Sequence, residues 1–458
     1  MKEYDIIIIG SGAGLDILDV AVEHGRKTAF IDRGPSGGTC LNVGCIPSKM
    51  LIFPADRIME IRESAKLGID VKINNIDFSA IMDRMHQVVD TDRDRIHKYL
   101  EESGDMDFYN ETAEFVDDYT LKAGAETIKA KQIYIASGTR PVIPPLKGLD
   151  HVEYLTNETL LNLTAPPKSL VIIGGGYIGV EFAHFFEAMG TEVTILEMGS
   201  RLLPDEEPEV SAFLQMALSR RMTVHTLCQA ESVGPGVGGG VSVSFKQTAT
   251  GQKGHVRAER LLIAAGRRSN ADLLKVEKSG IIVDDHGFIM VDAHLETNKK
   301  GIYAVGDANG RELFTHTAHA EAAVAAANGI HGHKETMDYH AAPHAVFTHP
   351  QIASVGLKEE EAGRSHKIMV GRADYADTAL GTAMMENEGF AKIILEQTTG
   401  KILGGHIIGP WASTIIQEVV NAMAVGGGLD EIASGIHIHP ALSELVVKAL
   451  FNARPADE

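Results

Sequence analysis

Cys40 and Cys45 stand five positions apart in Gly37-Gly38-Thr39-Cys40-Leu41-Asn42-Val43-Gly44-Cys45-Ile46-Pro47-Ser48-Lys49. Two thiols so near in the chain can open and close a disulfide and so carry two electrons. In a regular α-helix this spacing turns them away from each other, so a bridge needs a distorted helix start, which Asn42 and Gly44 can supply. Only the thiolate attacks, and a free cysteine with a pKa of ~8.5 is a few per cent ionised at neutral pH, so a base must stand nearby. A histidine that could serve, His439, precedes Pro440 near the far end, with Glu444 beyond it. From spacing alone His439 reads equally well as a turn residue.

Two glycine clusters suggest what the dithiol exchanges electrons with. Gly174, Gly176 and Gly179 satisfy G-x-G-x-x-G after the apolar run Leu170-Val171-Ile172-Ile173, and Glu197 follows Gly176 by 21 residues. The first glycine permits a tight turn, the second lets a pyrophosphate reach a helix N-terminus, and the third lets helix pack on strand. Glu197 would accept hydrogen bonds from an adenosine ribose, which favours NAD over NADP because a 2′-phosphate would face a carboxylate. Arg201 is the nearest cation. The first cluster has Gly10, Gly12 and Gly14 but Leu15 where the third glycine belongs, and Asp32 follows Gly12 by 20 residues. The missing glycine serves packing rather than phosphate contact, so binding survives. The redox segment comes directly after this unit, which lets Cys45 face whatever the first nucleotide site holds.

The elements that must position these residues are legible as short apolar runs bounded by glycine. Tyr4 to Gly10 and Leu170 to Gly174 read as buried strands of parallel sheets. Each opens a strand, turn, helix, strand unit, and the first loop glycines of the two copies, Gly10 and Gly174, stand 164 residues apart. Ile133-Tyr134-Ile135-Ala136-Ser137-Gly138 and Leu261-Leu262-Ile263-Ala264-Ala265-Gly266 would be their closing strands. Helical spacing of Ile58, Ile61 and Ala65, and of Ile81, Met85 and Val88, predicts two exposed helices between about 53 and 98. Gly234 to Gly240 reads as a surface hairpin loop, since no helix or Lys-Ser/Thr follows it. An alanine-rich helix is expected over about 315–328, and alternating strands and helices after Tyr339, among them a strand at 391–395 and a helix at 413–426, suggest an α+β region.

Composition narrows the function. Subtracting 62 Asp and Glu from 42 Lys and Arg leaves a net charge of −20, a field that repels phosphate backbones and anionic lipid heads. No nucleic acid or membrane partner is expected, and no apolar run approaches the ~20 residues of a membrane helix. The start shows no charged leader, and three cysteines are too few for a disulfide-stapled secreted scaffold. A cytoplasmic protein is expected.

With these residues in view, the sequence resembles the flavin-dependent pyridine nucleotide–disulfide oxidoreductases over nearly its whole length. The segment from Gly38 to Lys49 matches that family's redox-active stretch, Gly306-Asp307 its second FAD contact, and His437-Ile438-His439-Pro440-Ala441-Leu442-Ser443-Glu444 its C-terminal base motif. The resemblance implies an α/β fold: two Rossmann-like dinucleotide-binding domains, for FAD and NAD, plus a C-terminal α+β dimerisation domain. The expected division is 1–145 (FAD, first part), 146–271 (NAD(P)), 272–337 (FAD, second part) and 338–458 (interface). Gly10, Gly12, Gly14, Asp32, Gly38, Thr39, Lys49, Ser137, Gly138, Gly306 and Asp307 would hold FAD. Gly174, Gly176, Tyr177, Gly179, Glu197 and Gly266 would hold NAD, with Tyr177 covering the nicotinamide pocket. Cys40 would be the thiol that attacks substrate, and Cys45 the charge-transfer thiol beside the flavin. His439, held by Glu444, would serve the dithiol of the other subunit, so a homodimer is implied. Lys49 and Glu181 match an ion pair placed by the flavin and nicotinamide.

Within the family the expected substrate is a small dithiol or disulfide such as lipoamide, carried on an acyltransferase, which makes the activity that of a dihydrolipoamide dehydrogenase. The alternative is an NAD(P)H-dependent reductase of a low-molecular-weight thiol disulfide, suggested by Leu15, Ile17-Leu18-Asp19, Gly34-Pro35 and His319-Ala320-Glu321-Ala322. A remote third reading is a flavoprotein subunit without dithiol turnover. No metal site is expected: His331, His333, His340, His344 and His349 read as a solvated connector without carboxylate partners at ligand spacing. Cys228 reads as a small core residue. His316 and His319 lie on the helix after Asp307 and read either as lining the flavin region or as plain helix surface.

Overall fold

A computed structural model describes residues 1–236 and 238–456. Val237, in the glycine-dense loop, and Asp457 and Glu458 lie outside the described residues. The chain forms two compact units, one of residues 1–50, 82–142 and 266–337, the other of 51–81, 143–265 and 338–458.

In the first unit, Lys2–Ile9 is the centre of a seven-stranded sheet. It pairs in parallel with Thr28–Ile31 on one side and Glu126–Ile135 on the other. Asp107–Tyr109 extends one edge and Ile302–Ala304 pairs with Glu126–Ile135, both in parallel. Ala113–Asp117 and Thr120–Ala123 add an antiparallel meander. Ile6 to Ile8 are fully buried because both faces of the sheet are covered. Ile6 and Ile8 pack with Ile17, Leu18 and Ala21 of the helix Gly14–Glu23 and with Ala322 and Ala325 of the helix Thr315–Gly329. Ile7 faces the other cluster, with Phe115, Leu121 and Ile133.

The second unit repeats the design. Ser169–Ile173 lies between Glu192–Leu196 and Arg260–Ile263 in a four-stranded parallel sheet closed by Thr223–His225. Cys228–Pro235, Val241–Gln247 and Lys253–Ala258 form an antiparallel sheet, and the glycine-dense loop is the hairpin turn expected, with Pro235 opposite Val241. A third, antiparallel sheet comprises Pro343–Val346, Gln351–Gly356, Ile402–Gly409, Phe390–Glu396, Ile368–Asp374 and Arg454–Pro455. The helices Ala412–Ala424 and Glu444–Phe451 bury Ile416, Val419, Leu445 and Val446 with Ile393 and Ile407 of this sheet.

The two helices expected before residue 98 are longer than their periodicity suggested, Cys45–Glu63 and Phe78–Glu102, and only partly exposed: Ile58 and Met85 are buried. The first begins at the redox cysteine itself. Among the described residues no helix is long and apolar enough to cross a membrane.

Candidate active site

The duplicated strands end in the same geometry. Gly10 has φ +103° and Gly174 φ +112°, and a Cβ on either would stand 2.2 Å from a carbonyl oxygen of the closing strand's end, Ala136 or Ala264. Only glycine tolerates this turn and contact. The acid at the end of each second strand reaches back to the loop. Asp32 accepts hydrogen bonds from Ser11 N at 2.8 Å and Gly34 N at 3.0 Å. Glu197 accepts from Gly175 N at 2.6 Å and Gly199 N at 2.5 Å. An ionised carboxylate offers about four lone-pair sites, so each acid retains capacity for ribose hydroxyls.

The middle glycines differ from their neighbours. A Cβ on Gly12 or Gly176 would meet nothing within 4 Å, so space opens at the position where a pyrophosphate approaches the helix start. Gly179 packs instead: its Cβ would lie 2.1 Å from Gly174 O. In the first copy Gly14 takes that duty, with a Cβ position 3.1 Å from Ile8, which explains why Leu15 is tolerated one residue later.

These features fit FAD in the first unit. A pocket lined by Gly10, Asp32, Arg33, Glu111, Ser137 and Asn270 opens beside the Asp32 carboxylate. Ser137 Oγ is buried with no hydrogen-bond partner among the described residues, a donor left for a ligand. Gly138 stands at φ +62° beside it. Gly306, at φ +61°, is fixed by donating to the buried Glu321 carboxylate at 2.5 Å. Asp307 accepts from Thr139 Oγ1 at 2.7 Å and has Arg267 Nε at 3.8 Å. In the second unit the open Gly176, the adjacent Tyr177 and Glu197 fit a pyridine dinucleotide. Gly266, expected with that set, belongs to the first unit, where its carbonyl accepts from Val142 N at 2.9 Å.

The redox segment is a helix broken in two. Gly38–Val43 ends at Gly44, whose φ of −129° and ψ of −117° interrupt the spiral before Cys45–Glu63 begins. A Cβ on Gly44 would stand 2.8 Å from Thr39 O, so the two helix pieces close tightly there. Asn42 Nδ2 ties the first piece to Pro35 O, Ser36 O and Gly38 O. The interruption brings the sulfurs together as expected. The two thiols are unbonded, and Cys45 hydrogen-bonds to Cys40. That bond, chiefly, with help from the Thr315 hydroxyl and the nearby His319, brings the Cys40 thiol down to about 6 against the opposing effect of burial. Cys45 is exposed, as is Thr39, and Lys49 Nζ lies 3.3 Å from Ser48 Oγ.

In the second unit His439 Nδ1 lies 3.0 Å from Glu444 Oε1, while Glu444 Oε2 accepts from Ala441 N at 3.1 Å. The His439 hydrogen bond, then the backbone bond, hold the Glu444 carboxyl below its ordinary range. Glu181 is buried and accepts from Phe347 N at 3.0 Å. The Tyr177 ring is 5.8 Å from that of His344.

One expectation is corrected in part. His331, His333 and His340 are exposed, as a solvated connector requires, but acidic partners are present: His333 pairs with Glu335 and His340 with Asp338, while the less exposed His344 and His349 pair with Glu206 and Glu63. His344 bonds at 2.7 Å to Glu206, a fully buried acid that also receives Ser354 Oγ. Glu206 and Glu63 are distant in sequence, so local spacing could not reveal them. Among the described residues no group of three or more His, Cys, Asp or Glu could hold a metal ion. Cys228 is buried in the core and burial raises its thiol pKa, as a packing residue requires. Thr315 and Asp16 went unnoticed in the sequence. Only the i, i+4 spacing of Thr315 and His319 offered a signal.

Strand-bounded glycine loops in duplicate, each holding an acid, with a dithiol at the edge of one, define a dinucleotide-dependent thiol–disulfide oxidoreductase. Comparison with known families agrees. Residues 4–327 match the pyridine nucleotide-disulphide oxidoreductase model and residues 342–450 match the dimerisation domain of the same group. The chain is 37% identical to mycothione reductase of Mycobacterium tuberculosis, over 99% of this chain and all of the relative. It is 35% identical to dihydrolipoyl dehydrogenase of Chlamydia trachomatis, covering 97% of this chain and 95% of that one. Among solved structures, the HOCl-induced flavoprotein disulfide reductase RclA from Escherichia coli superposes with a TM-score of 0.86 at 28% identity, covering 98% of this chain and 99% of that one. The chain therefore belongs to the pyridine nucleotide–disulfide oxidoreductases, flavoproteins that use FAD and a pyridine nucleotide, and its dimerisation domain supports a homodimer.

Proposed function

We propose that this enzyme moves electrons between a small dithiol and NAD as a dihydrolipoamide dehydrogenase. The observation that carries the choice of nucleotide is Glu197, whose carboxylate sits at the second strand's end and binds two loop N–H groups. A 2′-phosphate would meet this negative charge, whereas a ribose hydroxyl would donate to it.

In this reading segments 1–145 and 272–337 bind FAD, 146–271 bind NAD and 338–458 form the dimer interface. Bound FAD supplies two-electron relay between the dithiol and the nicotinamide. Cys40, with its lowered thiol pKa, exchanges with substrate sulfur; Cys45, at the start of the following helix, would be the thiol that serves the bound flavin. His439 takes the proton from the incoming substrate thiol, and Glu444 fixes the Nδ1 side of the ring so that Nε2 does the work. The lipoyl group would arrive on an acyltransferase. Lys49 and Glu181 serve the flavin and nicotinamide, and Tyr177 covers the nicotinamide pocket.

A second reading, reduction of a low-molecular-weight thiol disulfide by NAD(P)H, is favoured by the 37% identity to a mycothione reductase over full length. Initial rates decide between them. Dihydrolipoamide-dependent reduction of NAD, well above that of NADP, supports the first; NAD(P)H oxidation driven only by a small disulfide supports the second.

A further inference from the structure

Three segments of the first unit converge on Cys40. The helix Gly14–Glu23 carries Asp16 in its first turn. The start of the Gly38–Val43 helix, which holds Cys40, lies directly against the loop before Asp16. Gly37 N donates to Ser11 Oγ at 2.8 Å, and a Cβ on Gly38 would stand 2.7 Å from Gly12 Cα. The third segment is the helix Thr315–Gly329, whose first residue hydrogen-bonds to the Cys40 sulfur through its hydroxyl. One turn on, on the same face, His319 places Nδ1 2.5 Å from Asp16 Oδ2.

We propose that His319, held by Asp16, is a positioning residue for Cys40, supplying from the same chain a positive charge that stabilises the Cys40 thiolate of the reduced dithiol. This rests on the reading of Cys40 as a redox thiol. It assigns His319 a task different from that of His439, which moves protons at the substrate sulfur. The only bond to sulfur that changes is S–H: on ionisation its electron pair stays on Cys40 Sγ and its proton leaves to solvent, with no change of oxidation state.

The electrostatics run in the direction required. The Asp16 hydrogen bond, chiefly, raises the His319 pKa, and the Cys40 thiolate adds to it while burial opposes both. A protonated imidazole beside a thiol lowers the thiol's pKa in turn. Asp16 and Cys40 are the charged groups that act on His319; Cys45, Thr315 and His319 act on Cys40. Cys45 contributes most, and the His319 and Asp16 side chains are 49% and 43% exposed, so solvent screens their share.

The test is the pH profile of Cys40 alkylation by iodoacetamide in the reduced, FAD-loaded protein, followed by peptide mass spectrometry from pH 5 to 9. In His319→Gln the profile should move to higher pH, with the rate at pH 5.5 falling about threefold, the change expected for a shift of about half a pKa unit. The plateau at high pH should stay. His319→Lys, which keeps a cation against Asp16, should retain the parent profile. Superimposable profiles for parent and His319→Gln, or equal displacement in both variants, would overturn the inference. Circular dichroism and flavin content report folding of each variant. A distinct failure is visible beforehand: if Cys40 of the air-oxidised protein alkylates as fast as that of the reduced one, Cys40 is not a redox thiol and the underlying reading falls.

Discussion

Glu444 grips His439 through one carboxylate oxygen and the Ala441 N–H, in the turn before its helix, through the other, at 3.0 and 3.1 Å, while 71% of the His439 side chain stays exposed. A ring anchored on its Nδ1 side and open elsewhere suits the proposed role of His439 as the base that exchanges protons with a substrate thiol. His439→Gln should therefore lose about 100-fold or more in dihydrolipoamide turnover. NADH-to-dye reduction, which bypasses the cysteines, should fall far less. Equal losses would mean misfolding or the wrong base.

The roles assigned to the two cysteines separate in the visible spectrum. Two-electron reduction should produce a long-wavelength band from a thiolate beside the flavin. Cys45→Ser should abolish that band and Cys40→Ser should keep it. An unchanged band in Cys45→Ser would refute its assignment.

The glycines make opposite predictions from one loop. Gly10→Val places atoms 2.2 Å from Ala136 O at a left-handed φ, so it should impair folding outright. Gly12→Val projects into open space. It should fold, by circular dichroism, yet purify with little or no flavin, because the added methyls occupy the space that the pyrophosphate needs. Full flavin content in Gly12→Val would contradict the placement of FAD.

Acid stability carries a separate signature. His349 hydrogen-bonds to Glu63 at 2.8 Å and, as the largest cause, brings its carboxyl down to about 2. A depressed carboxyl stabilises the fold above its unfolded pKa of ~4.3, and that contribution is lost as pH falls toward about 2. Discounted for the partial exposure of Glu63, the contribution is about 1 kcal/mol. The Tm deficit of His349→Gln relative to the parent should shrink between pH 5 and pH 2.5; a deficit independent of pH would assign it to packing alone.

Whatever depended on local pattern was legible in the sequence: the duplicated glycine loops, the acids at 32 and 197, the closing strands after Ile133 and Leu261, and the break between the cysteines. Each is fixed within a few residues by backbone geometry that only glycine, or an acid at a strand end, can satisfy. What escaped was long-range pairing. Asp16 meets His319 across about 300 residues, and Glu206 meets His344 across more than 100, so neither partner carries a local sign of the other. The same distance hid the acidic partner of His349. The interrupted helix, and with it the Cys45 bond that chiefly lowers the Cys40 thiol pKa, could be anticipated from Asn42 and Gly44, but the smaller shares of Thr315 and His319 come from a helix that only the fold brings beside it.

The most direct measurement is the initial rate of NAD reduction by the FAD-loaded dimer with excess dihydrolipoamide, run beside NADP. Fast turnover with NAD, lost in Cys40→Ser and in Cys45→Ser, is the predicted result. A yellow protein that NADH reduces but dihydrolipoamide does not would contradict the account and assign the dithiol to a different small-thiol disulfide.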